Sequence, residues 1–257
     1  VSVLTTLRSA LGVRGLGYRP DKPDGRDRML SALGLPEAPL DSVLYESLLP
    51  QRLRQGGSQS CVAHAWAQAI QLDRILDGDA QAPLPSRRAI YRWARDFDGG
   101  PIRDAGTYLR SAARAVTVHG IPPESVCPFE LSKINAEVPW AAYRAGHDAR
   151  GPQGYYRISP GDLDGIRRAL SAKKPVVFGL FVPRSFLALD GPATIDVSRE
   201  PAVGGHAVTA IGYDKSRVRI VNWWTERWRE GGCAWLTNEL MAQALDVWVT
   251  DFRGSKA

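Results

Sequence analysis

From Ser60 onward, apolar residues recur at the spacing of a helix. Val62, Ala65, Trp66, Ala69, Leu72 and Leu76 fall on one side, Asp73, Arg74 and Asp77 face outward, and Gly78 stops the run. The same period returns over residues 86–97 and 107–118. Asp98-Gly99-Gly100-Pro101 separates these two stretches, and Gly120-Ile121-Pro122-Pro123 ends the second. Residues 1–12 read as a short amphipathic helix, with Leu4, Leu7 and Leu11 on one side and Gly12 as its stop. Between them, residues 13–57 are punctuated by Gly15, Gly17, Pro20, Pro23, Gly25, Pro36, Pro39 and Pro50. That segment is expected to wrap the surface with short turns of its own.

The pattern changes in the second half. Residues 155–159 read as a strand, and residues 160–173 as a helix capped early by Asp162. Apolar, β-branched or aromatic runs then follow at 176–182, 206–213, 217–224, 233–236 and 247–252, each bounded by Gly, Pro or Asp. Helices first and strands later indicate an α+β protein, with the mouth of the helix near Ser60 set against the strands.

Composition narrows the function classes. With 257 residues, 44% hydrophobic and 23% charged, the chain is long enough to bury a substantial core. No apolar run reaches the length of a membrane span. The net charge of +6 is scattered apart from short pairs such as Arg87-Arg88 and Arg167-Arg168, so no nucleic-acid module is expected. Three widely spaced cysteines make neither a disulfide framework nor a zinc site, and free thiols are expected. No metal or cofactor is called for. A soluble protein, cytoplasmic or particle-associated, is the favoured reading. The chain begins at Val rather than Met, which leaves a removed upstream signal open.

The candidate chemistry starts at Gln55-Gly56-Gly57-Ser58-Gln59-Ser60-Cys61-Val62-Ala63-His64-Ala65-Trp66. It places a thiol at a helix N-terminus, where unpaired N–H groups and the helix dipole favour the thiolate. A buried structural cysteine fits the same letters. His206 follows two glycines at the start of an apolar strand, and Asn222 lies in another. Taken singly, each fits a structural role equally well.

Together the blocks resemble the papain family of cysteine peptidases, particularly its compact bacterial and phage-type members. Residues 55–62 resemble the family's Gln-Gly-x-Cys-Gly-Ser-Cys-Trp stretch. Gly204-Gly205-His206-Ala207-Val208 resembles its Gly-His-Ala-Val strand. Asn222-Trp223-Trp224-Thr225-Glu226-Arg227-Trp228-Arg229-Glu230-Gly231-Gly232 resembles its Asn-Ser-Trp-Gly-x-x-Trp-Gly-x-x-Gly segment without a gap. His206 lies 145 positions after Cys61, within the roughly 130–150 of papain-type enzymes. Weaker matches extend the resemblance from about residue 17 to 250.

The resemblance implies a papain-like α+β fold in which a helical lobe and a β-barrel-like lobe flank the active-site cleft. It implies one catalytic domain over residues 1–257: a wrapping segment at 1–54, a mainly helical lobe at 55–135 and a mainly β lobe at 136–257. Cys61 is implied as nucleophile, His206 as base and Asn222 as the group orienting it, with Gln55 as oxyanion donor. Gly106 and Gly205 are implied as substrate contacts, Trp224 as a shield over the His206–Asn222 bond, and Trp228 as a wall on the leaving-group side. The implied partner is a peptide or protein substrate, with a particle or secretion-system assembly left open.

Several letters depart from the family pattern. Ser58 stands at the usual Cys, Gln59 at the usual Gly, Val62 at the usual Trp, and Thr225 and Arg229 at usual glycines, which threatens to narrow the cleft. Losing the Cys at 58 removes a common disulfide and suits a reducing compartment. His64, one turn into the helix, is expected to hydrogen-bond in the interior rather than act as base. Cell-wall amidase or isopeptide acyltransferase chemistry on the same fold, and an inert papain-like binding module, stay open as alternatives.

Overall fold

The computed structural model describes residues 15–37 and 41–252. The helix expected over residues 1–12 lies outside them. Six helices are present among the described residues: α1 Cys61–Leu76, α2 Arg87–Asp98, α3 Leu109–His119, α4 Trp140–Ala149, α5 Leu163–Ser171 and α6 Asn238–Met241.

Helix α1 is the central one. Every residue from Cys61 to Asp73 is buried, because α2 and α3 pack on it from one side and the sheet from the other. Asp73, expected to face out, is only 6% exposed. Its position on the polar side of the pattern does not reveal that a second layer covers that side. Helix α2 starts where Ser86 caps it: Ser86 Oγ accepts from the Ala89 N–H at 3.1 Å and donates to the Cys127 carbonyl at 2.5 Å. Asp162 caps α5 by accepting from the Gly165 N–H at 2.8 Å. Helix α3 begins two residues later than its pattern suggests, since Thr107 and Tyr108 pair as a strand instead. Helix α4 was not expected. Trp140 stands 73% exposed at its start, and only Ala142 and Gly146 are buried along it, so its amphipathic signal is weak.

Ten strands are described: β1 Tyr18–Arg19, β2 Val43–Leu44, β3 Thr107–Tyr108, β4 Gly154–Ile158, β5 Val176–Pro183, β6 Thr194–Ile195, β7 Ala202–Tyr213, β8 Arg217–Val221, β9 Cys233–Thr237 and β10 Asp246–Asp251. Eight of them form one sheet in the order β4-β10-β5-β7-β8-β9-β6, with β2 also paired to β7. All pairs are antiparallel except β6 with β9. The fold is α+β, as expected. The barrel-like lobe, however, is an open sheet, because β4 and the two-residue β6 end it without pairing to each other. β1 and β3 form a separate parallel pair.

The sheet carries α1 across its face. Thr209 on β7 donates its hydroxyl to the Ala65 carbonyl of α1 at 2.8 Å, and the Trp223 indole donates to the Ala207 carbonyl at 2.8 Å. The first bond ties the early turns of α1 to β7, and the second ties the segment after β8 to it.

Ser86→Ala removes the cap of α2 and leaves the Cys127 carbonyl without its buried donor. The expected cost is about 1–2 kcal/mol, read as a lower urea midpoint at unchanged slope. An unchanged midpoint contradicts this account of the cap.

Candidate active site

Cys61 is the first residue of α1 and is fully buried. The loop leading to it is held by a chain of short polar links. Ser58 Oγ donates to the Gln55 carbonyl at 2.7 Å and lies 2.7 Å from Ser60 Oγ. His64 continues that chain. Its Nδ1 is 2.9 Å from the Ser60 carbonyl, and its Nε2 faces Arg87 Nη1 at 3.1 Å. Nε2 also lies 3.2 Å from the Arg54 carbonyl, so both ring nitrogens have partners. Burial, and then the Arg87 charge, push its pKa well below the usual value. Both ring nitrogens are therefore engaged in holding the loop, as the interior role expected for His64 requires.

His206 lies on β7, opposite Leu180 of β5. Its Nε2 donates to Asn222 Oδ1 at 2.8 Å, and Oδ1 also accepts from the Trp223 N–H at 2.8 Å. That pairing assigns the proton of a neutral ring to Nε2 and leaves Nδ1 with its lone pair. Nδ1 is buried and has no hydrogen-bond partner. The next backbone N–H along the strand, that of Ala207, bears on the Cys61 sulfur. Trp224 stacks on the imidazole with centroids 4.5 Å apart and a 26° tilt. Trp228 is fully buried behind Trp224 and Phe186, and its indole donates to the Phe186 carbonyl at 3.0 Å. It supports the wall of the cleft from behind and has no exposed surface of its own.

Burial dominates the electrostatics. It pushes the Cys61 thiol up to about 11, offset in part by the N–H groups of Ala207, Gly17, Val62 and Tyr18. It pushes His206 down to about 4, against the hydrogen bond with Asn222. In this state both groups are neutral at pH 7.

Main chain from residues 15–19 causes much of that burial. β1 runs parallel to β3, and the Thr107 N–H donates to the Gly17 carbonyl at 3.0 Å. The Gln55 side chain is fully buried, and its Nε2 donates to the Gly15 carbonyl at 3.0 Å and the Ser58 carbonyl at 2.8 Å. One of its bonds thus goes to the segment crossing the site and the other to its own loop.

The implied substrate glycines make room for the same strand. A Cβ on Gly106 would fall 2.1 Å from the Gly17 carbonyl oxygen, and one on Gly205 would fall 2.4 Å from that of Tyr18. The Gly106 N–H itself is taken by Tyr91 Oη at 3.0 Å, so the donor facing the cleft is its neighbour Thr107. The bulky departures point elsewhere. Arg229 reaches the Ser185 carbonyl at 2.8 Å, with its guanidinium where a Gly191 side chain would stand. Gln59 is tied to Asp104 by two hydrogen bonds, and Val62 is wholly interior. Neither Arg229 nor Val62 fills the space above Cys61. What covers that space is residues 15–19, whose role sequence reading missed. The glycines at 15 and 17 were the available signal, and they read only as turns.

All three cysteines are free and buried. Among the described residues, no cluster of three or more His, Cys, Asp or Glu side chains is placed to hold a metal ion, and no helix is long and apolar enough to cross a membrane.

No protein-family model matches the chain. A curated relative, the uncharacterized peptidase C1-like protein L477 of Acanthamoeba polyphaga mimivirus, is 26% identical over 269 residues, covering 92% of this chain and 86% of that protein. Among solved structures, xylellain, a cysteine protease from Xylella fastidiosa, superposes with a TM-score of 0.80 at 28% identity, over 93% of this chain and 96% of its own. The Carica candamarcensis cysteine protease CMS1MS2, solved with E-64, shares the fold at a TM-score of 0.67 and 18% identity, over 82% of this chain and 98% of its own. Over nearly its whole length the chain is similar in fold to papain-like cysteine peptidases.

Proposed function

We propose that this papain-like cysteine peptidase hydrolyses peptide bonds through Cys61, His206, Asn222 and Gln55, and that it does so only after residues 15–19 leave the cleft. The observation that carries the reading is the His206 ring. One nitrogen is held by Asn222 at 2.8 Å, and the other is buried, unpartnered and on the strand that faces the thiol.

In the proposed reaction, His206 Nδ1 takes the Cys61 proton and the thiolate attacks the substrate carbonyl carbon. The developing oxyanion accepts from Gln55 Nε2 and from the Cys61 N–H. His206 then gives its proton to the leaving amine, and a thioester remains on Cys61. Water, deprotonated by His206, attacks the thioester and releases the acid, returning the thiol. The bond from Gln55 Nε2 to the Gly15 carbonyl supports this role, because a peptide carbonyl already occupies that donor. The strand is compatible with a resting state: while it is docked, the thiol keeps its proton up to about pH 11.

Cys61→Ala is expected to abolish hydrolysis of peptide substrates, and Gln55→Ala to lower kcat by about 10²–10³. Retained turnover in purified Cys61→Ala sinks the assignment.

Gly17→Val tests the cover. A Cβ at residue 17 would meet the Gln59 carbonyl oxygen at 1.8 Å, a backbone atom that cannot swing aside. Expected is at least tenfold faster labelling of Cys61 by an epoxide thiol reagent at pH 7, mapped by mass spectrometry. Gly25→Ala, where nothing lies within 4 Å, should leave the rate unchanged. The native chain should label faster as pH rises. Docking raises the pKa of the thiol, so the docked state holds its proton more tightly and loses stability as pH climbs from the released value toward 11. Asp21, raised to about 7 mainly by burial, acts in the same direction between its ordinary value and pH 7. Equal labelling of the native chain and Gly17→Val contradicts the cover.

A further inference from the structure

The segment over the site is anchored at Tyr18, whose Oη donates to Asp246 Oδ2 at 2.5 Å. Beside the thiol it threads between two loops. One is the loop at 55–60 that ends on Cys61. The other, at 99–106, leads into β3 and brings the Thr107 N–H to the Gly17 carbonyl at 3.0 Å. A Cβ on Gly17 would meet the Gln59 carbonyl oxygen at 1.8 Å, and one on Gly106 would meet the Gly17 carbonyl oxygen at 2.1 Å. The gap that admits an extended backbone is therefore bounded by Gln59 on one side and by Gly106-Thr107 on the other.

Little within the second loop sets the width of that gap. No regular element occupies residues 99–106, and Gly99, Gly100 and Gly106 all have positive φ, at 73°, 82° and 78°. Side chains fix it instead. Asp104 Oδ1 accepts from the Gln59 N–H at 2.9 Å and from Tyr91 Oη at 2.7 Å. The Asp104 carbonyl accepts from Gln59 Nε2 at 3.0 Å. Tyr91 Oη in turn accepts from the Gly106 N–H at 3.0 Å. Burial, and then the Asp104 charge, push the Tyr91 phenol well above its usual pKa, so at neutral pH it stays a donor. Arg95, one turn further along α2, lies 3.8 Å over the Tyr91 ring and donates to the Arg103 carbonyl at 2.8 Å. A rigid helix thus carries the far side of the clasp.

The path from nucleophile to strand donor is short. Gln59 stands two residues before Cys61, and one peptide separates the Gly106 N–H from that of Thr107. Resting on the peptidase reading above, we propose that Asp104 is a positioning residue. With Gln59 and Tyr91 it holds the Thr107 N–H in register with Cys61, so that a peptide bound through its main chain presents its carbonyl to the thiol. Asp104 does so without touching the substrate or the reacting atoms. A misplacement of about 1 Å costs on the order of 10²-fold in rate, and a loop with three such glycines has little stiffness of its own. Gln59, a departure that threatened to narrow the cleft, turns its side chain into this clasp.

The test uses the full chain carrying Gly17→Val, with and without a second change. Two rates are followed together. One is kcat/KM for a peptide this chain cleaves, chosen by mass spectrometry from a digest of proteome-derived peptides. The other is alkylation of Cys61 by iodoacetamide, a reagent with no main chain to position. Asp104→Ala is expected to lower kcat/KM about tenfold or more, while alkylation stays within about twofold. Asp104→Asn keeps a carbonyl oxygen for the two donors that share Oδ1 and should restore kcat/KM to within about threefold. Tyr91→Phe removes one of those donors and the partner of the Gly106 N–H, and should behave as Asp104→Ala does. Unchanged kcat/KM in Asp104→Ala or Tyr91→Phe, or an equal fall in Asp104→Asn, overturns the clasp and leaves the peptidase reading standing. A parallel fall in alkylation also overturns it, since the damage then lies at the thiol. A Gly17→Val chain that is alkylated at Cys61 and cuts no peptide overturns the peptidase reading, and the clasp with it.

Discussion

The structure depends on one constraint: the N-terminus of α1 must be buried against β7. A helix end normally solvates its unpaired N–H groups. Here the end is enclosed, so the loop before it must be satisfied from within. The Ser58–Ser60–His64 chain does this, anchored at its far end by Arg87. The Thr209–Ala65 bond fixes the height of the helix over the sheet. With both in place, Cys61 and His206 sit on two rigid elements, a helix and a strand, rather than on two loops.

The second theme is approach distance. Backbone passes close to backbone at Gly17 and Gly106, and aromatic ring against backbone at Gly179. Each contact needs the absence of a Cβ. Gly106 also has a positive φ of 78°, which any other residue would hold under strain. These glycines allow residues 15–19 to lie extended in the cleft.

Much of this was legible in advance. The 3.6-residue period of α1, the cap at Asp162 and the β-branched runs of the sheet are local signals, and they placed the main elements to within a few residues. The order Gln55, Cys61, His206, Asn222 was readable because the four sit in three short motifs. What escaped was tertiary. Tyr18 and Asp246 are 228 positions apart, and no periodicity links them. Asp73 looked exposed because a one-dimensional pattern cannot count the layers around a helix. Trp140 opens a helix that buries too little to leave a stripe.

The segment that fills the site is covalently part of the chain it fills. It is also gripped at several points, by Trp248 on Asp21 and by Arg110 and Arg157 on Asp27. Tethering turns docking into a first-order event with an effective concentration on the order of millimolar for a short flexible connection. A free peptide at micromolar concentration therefore competes against an occupant present at about a thousandfold excess, even where the two bind with equal intrinsic strength. The apparent Michaelis constant of the intact chain thus measures the tether as much as the cleft, and shortening or cutting that tether changes it with no change at any residue that touches substrate.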